Sequence, residues 1–299
     1  MSWKMEPTDA RNVHNLVIEA QWRQKGWEQW LFISSDWHFD NPHCKRSLLF
    51  EHLTQAVEKD APIFCFGDIL CLMQGKYDPR KSKVDIRPEH NTANYLDVVC
   101  SDSANVLKPW ASHLALFGYG NHETSIMKRQ ETDPLGRMAY ILKHEHDANH
   151  LHMGGYGGWV RVVLRNEHGM SYTIPIKYYH GSGGGGPVTK GVIQTNRRSV
   201  FLPDARLICT GHVHEKWAIE LERERLSKHG KISIDKQIHM CTATYKEEYD
   251  DGYMGWHVER GASPKPLGGY WVKLSSKRKT YGANSKEDIE INIQYINAV

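Results

Sequence analysis

Asp36-Trp37-His38 sets a carboxylate and an imidazole two residues apart, directly after the apolar run Leu31-Phe32-Ile33. Imidazole and carboxylate together suit borderline divalent ions such as Mn²⁺, Fe, Zn²⁺ or Ni²⁺, whereas an all-oxygen set would suit Mg²⁺ or Ca²⁺. Alone, the triplet is an ordinary turn sequence. It gains meaning because its kind recurs. Gly67-Asp68 follows Pro62-Ile63-Phe64-Cys65-Phe66, and Gly120-Asn121-His122-Glu123 comes soon after Leu114-Ala115-Leu116-Phe117. Tyr179-His180-Gly181 closes a run that begins at Ser171, and Gly211-His212-Val213-His214 follows Leu207-Ile208-Cys209-Thr210. Each time, a run with strand character ends near a glycine that admits a sharp turn, and a metal-type ligand stands beside it. Open α/β sheets place their chemistry at the carboxyl ends of such strands.

The elements between these tips must hold them in place. Cys44 to Lys59, Asn91 to Trp110 and Leu135 to His144 carry apolar residues at helical spacing. Trp159 to Arg165 and Ser171 to Tyr179 read as a hairpin about Asn166-Glu167-His168-Gly169. The order strand–helix–strand–helix–strand signals βαβ units and a largely parallel sheet. Later strand-like runs at Trp217 to Leu221, Gln237 to Thr242 and Tyr270 to Leu274 suggest a second sheet. Val13 to Trp22 reads as a short amphipathic helix on the side of the domain. No Pro/Ser-rich linker interrupts the chain, so a single domain over residues 1–299 is expected, with its core at about residues 28–275.

Bulk properties narrow the classes. The 299 residues carry a net charge of +3, too balanced for a strongly basic nucleic-acid binder. The six cysteines form no C-x-x-C pair and lie in or beside apolar runs, which predicts buried thiols in a reducing compartment. Met1 to Glu19 lacks the pattern of a secretory signal, and no apolar run is long enough for a bilayer, so a cytoplasmic protein without a membrane partner is expected.

Taken together, Asp36-x-His38, Gly67-Asp68, Gly120-Asn121-His122-Glu123, His180 and Gly211-His212-x-His214 resemble the calcineurin-like metallophosphoesterase family, in the family's own order. The stretch from Tyr179 to Lys190, with its glycine run, is also similar to phosphoesterases of phages and prophages. The resemblance implies an α/β fold: a β-sandwich of mixed sheets flanked by helices (αββα). It further implies two divalent metal ions. Asp36, His38, Asp68 and His214 would hold one, and Asp68, Asn121, His180 and His212 the other, with Asp68 bridging. It makes His122 the residue that faces the leaving oxygen, and the reaction an in-line attack on phosphorus by a hydroxide held between the metals. Glu123 could orient His122, or could be a helix-starting surface residue. His43, His90, His150, His152, His239 and His257 fall outside the pattern.

The ester itself is less constrained. Protein Ser/Thr phosphatases of this superfamily carry arginines beside the second and third blocks. Here the second block continues Ile69-Leu70-Cys71-Leu72-Met73, and the third is preceded by Phe117-Gly118-Tyr119. A diester carries a single negative charge and needs less such help, which favours a phosphodiesterase acting on nucleic acid or a nucleotide over a Ser/Thr-type or small-molecule phosphomonoesterase. A non-catalytic scaffold of the same fold is the remaining class. Cys71 departs from the family pattern, where a polar residue often stands. Arg197 and Arg198 could clamp a phosphodiester or be a solvated face, and Gly183 to Gly186 could form a backbone nest for a phosphate. The charged stretch Gly75 to Glu89 could be a solvated loop or a basic lip facing the substrate.

Overall fold

The computed structural model describes residues 1–73, 82–184, 186, 188–249, 255–259, 261–281 and 286–299, without the side chains of residues 256, 278–281 and 286–288. In chain order its strands are β1 (Trp3–Glu6), β2 (Val13–Glu19), β3 (Glu28–Ser34), β4 (Ile63–Phe66), β5 (Leu114–Gly118), β6 (His152–Met153), β7 (Gly157–Arg165), β8 (Ser171–Tyr179), β9 (Leu207–Thr210), β10 (Lys216–Leu226), β11 (Ile232–Thr242), β12 (Gly269–Tyr281) and β13 (Lys286–Ala298). Its longer helices are α1 (Arg46–Glu58), α2 (Tyr95–Leu107), α3 (Asn121–Gln130), α4 (Pro134–Glu145) and α5 (Gln194–Phe201).

The strands form two mixed sheets. One runs β13-β12-β3-β4-β5-β6 and the other β1-β2-β7-β8-β9-β11-β10. In the first, β3 to β6 are parallel and β12 and β13 antiparallel. Alternation along the strands builds two cores from one sheet. Leu31 and Ile33 of β3, with Phe64 and Phe66 of β4, face the second sheet and meet Leu16, Ile18, Val160, Val162, Ile176 and Met240. Phe32, Ile63 and Cys65 face the other way, onto Leu49, Leu53, Val99, Leu107, Met138 and Leu142 of α1, α2 and α4. On the outer side of the second sheet, Gln237 of β11 donates to the carbonyls of Leu202 and Ala205, just beyond α5. The architecture is the expected sandwich of mixed sheets flanked by helices.

Three expectations change. Val13 to Trp22 is not a helix: β2 pairs in parallel with β7, and Leu16 and Ile18 enter the core between the sheets. Val13, Val17 and Ile18 are β-branched, and strand pairing decides a segment too short for propensity to fix. The sheet built from the strand–helix repeats is parallel only over β3 to β6, because β12 and β13 add an antiparallel hairpin to it. The helix expected from Asn91 begins at Tyr95, and its last residues tighten into a 3₁₀ segment, Lys108–His113, where Pro109 lacks the N–H an α-helix needs. The six cysteines are buried and free, as expected. Among the described residues, no helix is long and apolar enough to cross a membrane.

Candidate metal centre

The carboxyl ends of β3, β4, β5, β8, β9 and β11 converge. The loops after β3 and β4 run side by side: Asp36 N–H donates to Gly67 O (2.9 Å), His38 N–H to Asp68 O (3.0 Å) and Phe39 N–H to Ile69 O (2.8 Å). The loops after β8 and β9 join through Gly211 N–H and His180 O (2.8 Å). From β11, Tyr245 N–H and Thr244 Oγ1 both donate to the Asp36 carbonyl, at 2.9 and 2.8 Å. Trp37 lies between Asp36 and His38 but turns the opposite way, fully buried, with its indole N–H on Ser34 Oγ and its ring edge-on to Phe117. That alternation aims both potential ligands to one side.

Two clusters result. Asp36, His38 and His214 form one, with His38 Nε2 and His214 Nε2 3.1 Å apart and Asp36 Oδ1 3.9 and 3.4 Å from them. Asp68, His180 and His212 form the other. His180 Nε2 stands 3.2 Å from Asp68 Oδ2 and 3.1 Å from Asn121 Oδ1, which is also 2.7 Å from His212 Nδ1. The carboxylates are arranged alike. Asp36 Oδ2 accepts from Ser35 Oγ and from His212 N–H (2.9 Å), and Asp68 Oδ1 accepts from His122 N–H (2.9 Å). A backbone N–H of another loop thus fixes one oxygen of each, and the other oxygen faces imidazoles.

The backbone here is strained. Asp36, His38, Asp68, His212 and His214 have φ of 52, 46, 51, 71 and 54°. A non-glycine residue in that region costs about 1–2 kcal/mol, and such residues gather where the fold enforces a functional geometry. Glycine enters for a further reason at Gly67 (φ +103°): a Cβ there would lie 2.5 Å from His180 Nδ1. At Gly211 a Cβ would collide with Ser35 Oγ and Asp36 Oδ2. These glycines leave room for the ligand of a neighbouring loop.

Electrostatics tests the fit of a cation. Asp36 Oδ1, His38 Nδ1 and His214 Nδ1 are buried without a hydrogen-bond partner. A buried carboxylate oxygen with no donor, ringed by imidazole nitrogens, has the surroundings of a metal ligand. Burial, with the His122 and His214 charges, holds His38 well below its ordinary value, so it is neutral and able to ligate. In the second cluster burial favours a neutral His180, but Asp68 and then Asp36 overcome it and lift the imidazole to about 10. Burial likewise opposes the charge on Asp68, yet His180 and His122 hold it well below the usual carboxylate range. A proton on His180 thus balances the charge that a cation would balance. The donor set of imidazoles, two carboxylates and one amide oxygen fits two borderline divalent ions.

His122 Nδ1 is 2.5 Å from the carbonyl of Cys71, an acceptor only, so Nδ1 carries the hydrogen and Nε2 faces the centre, 3.9 Å from Asp68 Oδ2. Glu123 is not the surface residue that a helix start would make it. It is fully buried and accepts backbone N–H groups from Gly120 (2.8 Å), Leu70 (3.0 Å) and Asp68 (3.3 Å), tying the second and third blocks together. Burial and then the Asp68 charge push it up to about 8. Asp40 braces the same loop, receiving the N–H groups of Cys71 and Leu72 and the Tyr95 hydroxyl.

Sequence reasoning missed the wall supplied after β11. Glu248, only 3% exposed, pairs with Lys246 Nζ (2.5 Å) and with the His257 ring. His257, set outside the pattern, lies with its ring 5.7 Å from that of His214. Lys246, Glu248 and His257 are near in sequence, but their approach to His214 is a distant contact, so no local signal marks this wall. The other excluded histidines have neighbours elsewhere: His90 pairs with Asp102, His152 with His14, and His239 with Gln237. Arg197 is exposed, and Arg198 is lowered by burial near Cys241 and Tyr179. Part of Gly183 to Gly186, and residues 75–81 of the charged stretch, lie outside the described residues; the rest of that stretch is anchored by Ile86 in the helix-side core.

No protein-family model matches the sequence, and no curated protein matches it. Solved structures do. The calcineurin-like phosphoesterase YfkN of Bacillus subtilis matches at 9% identity and TM-score 0.39, covering 91% of each chain. GAP50 of Plasmodium, described as the anchor in the inner membrane complex, matches at 11% identity and TM-score 0.43, over 91% of this chain and 85% of its own. Vps29 of Entamoeba histolytica, solved with Zn²⁺, matches at 9% identity and TM-score 0.33, over 91% of this chain and 100% of its own.

Proposed function

We propose that this protein is a dinuclear-metal-dependent phosphoester hydrolase of the calcineurin-like kind, and that it acts as a phosphodiesterase on nucleic acid or a nucleotide. The observation that carries this is the pair of imidazole–carboxylate clusters on strained loop tips, each with one carboxylate oxygen turned to the imidazoles. Asp36, His38 and His214 would hold one ion and Asn121, His180 and His212 the other, with Asp68 shared; Mn²⁺ is the first candidate, with Fe, Zn²⁺ and Ni²⁺ as alternatives. Two such ions supply charge neutralisation at the phosphoryl oxygens and activation of the attacking water.

The chain's own residues do the rest. Asp68 and Asp36, each fixed at one oxygen, hold the centre's shape while charge moves. His122, oriented through the Cys71 carbonyl, presents Nε2 to the departing oxygen and can give it a proton, a step worth about 10²–10⁴-fold. Glu123 keeps His122 in place indirectly, through the Gly120 and Asp68 backbones.

Preference for a diester is supported by what surrounds the blocks. Ile69, Leu70 and Leu72 are buried, and the Tyr119 hydroxyl donates to Asp133, so these positions bring no guanidinium to a phosphate dianion. The test is Mn²⁺-dependent hydrolysis of bis-p-nitrophenyl phosphate against p-nitrophenyl phosphate, followed by digestion of labelled single- and double-stranded DNA. Diester turnover supports the proposal. Monoester turnover alone would make the protein a phosphatase, and metal binding without turnover a scaffold.

A further inference from the structure

Cys71 has an unusual place. Its carbonyl orients His122, and its thiol, buried in the centre's wall, accepts a hydrogen bond from Asn41 Nδ2 at 3.3 Å. Cys71 Sγ, one nitrogen of His38 and one of His122 all lie within 4.8 Å of one another. The His38 and His122 rings stand edge to face with centroids 4.8 Å apart. His38 is 1% exposed, and its Nδ1 has no hydrogen-bond partner, so no such contact pins that edge of the ring. Among the described residues, Cys71 is the only cysteine in a cluster of metal-type ligands. One thiol and two imidazoles form a softer set than either hydrolytic cluster, and they suit Zn²⁺ or Cd²⁺ over Mn²⁺.

We propose that Cys71, His38 and His122 form a third, inhibitory site for a thiophilic divalent ion. Binding forms a metal–sulfur bond and releases the thiol proton to solvent, with no change of oxidation state. Occupancy draws His38 from the first cluster and His122 from the leaving oxygen, so one ion removes both a ligand and the acid. The effect on turnover rests on the hydrolase function proposed above; the binding itself does not.

Titrating Cd²⁺ into the Mn²⁺-loaded protein tests this. The wild type should develop the ultraviolet charge-transfer band of a cadmium–thiolate bond as diester hydrolysis falls. Cys71→Ser should lack the band, and its half-inhibiting Cd²⁺ concentration, measured against its own starting rate, should rise at least the roughly 10–100-fold that even a ligand's hydrogen-bond partner is worth. His122→Asn should weaken the band while leaving the thiol in place. Asp68→Asn should keep the band while losing Mn²⁺, which separates this site from the hydrolytic pair. A wild type with no band, or a band that survives in Cys71→Ser, would overturn the proposal. A band in a protein with no hydrolytic activity would instead overturn the proposed function and leave the site standing.

Discussion

Asp36 and Asp68 occupy matching positions on the two sides of the centre, one oxygen fixed by a backbone N–H and the other turned toward imidazoles. Their neighbours differ. Asp68 faces His180, which sits between Asp68 Oδ2 and Asn121 Oδ1 and gives its second nitrogen to the Phe66 carbonyl at 3.0 Å. That imidazole is lifted to about 10, so the second cluster is balanced by its own proton. Asp36 faces His38 and His214, each with an unpartnered Nδ1, and His38 is held neutral. The same donor types therefore give one half whose imidazole is lifted by carboxylates and one half whose His38 is held neutral. The balance of burial against nearby charge decides the difference: a buried imidazole is charged only where carboxylates outweigh its desolvation.

The largest test of this contrast removes the shared carboxylate. Asp68→Asn should abolish stoichiometric binding at both positions by elemental analysis. It should also cut diester turnover by about 10³-fold or more, the several kcal/mol of charge stabilisation that metal ions supply. Two ions still bound would end the bridging role. His122→Gln should keep both ions and slow esters with poor leaving groups by about 10²–10⁴-fold, while bis-p-nitrophenyl phosphate, whose leaving group needs no proton, changes little. An equal loss on both substrates would assign His122 to something other than the acid.

A smaller effect separates the halves directly. In the metal-free protein His180→Asn leaves Asp68 buried beside an amide instead of a cation, and should destabilise by about 3–5 kcal/mol. His38→Asn, at an imidazole that burial already holds neutral, removes no compensating charge and should cost less. Urea midpoints of the two variants check this, and equal losses would erase the contrast. The smallest effect concerns two imidazoles packed without a carboxylate, the half-buried His152 and the buried His239. Burial, then His14, lowers His152 to about 4, and burial, then Arg198, lowers His239 to about 4. The unfolded chain takes up these protons near the ordinary 6.5, the folded chain only near 4. Their contribution to stability is therefore whole above pH 6.5 and lost as pH falls toward 4. His152→Gln or His239→Gln should flatten the fall in thermal midpoint across that window.

Much of the fold was legible because burial on both faces leaves near-continuous apolar strands. Leu31-Phe32-Ile33, Ile63-Phe64-Cys65-Phe66 and Leu207-Ile208-Cys209-Thr210 serve two cores or a sheet centre, and each could be placed from its residues alone. β2 misled because a half-buried strand beside polar residues has no strong period of its own, and its pairing with β7 is distant in sequence. Whether Glu123 orients His122 or starts a helix at the surface stayed open in the sequence, because its three backbone partners lie on two loops, one of them far away in the chain.

The sequence alone determined the types of the ligands and the strands that carry them, since both are local facts: a side chain's donor atoms, and the apolar run before it. Tertiary structure decided the rest. It set which oxygen of each carboxylate faces the imidazoles, which imidazole carries a proton, and that Cys71, Lys246, Glu248 and His257 join the centre. Those outcomes depend on distances between loops more than a hundred residues apart in places, and on how completely water is excluded, and no local pattern encodes either.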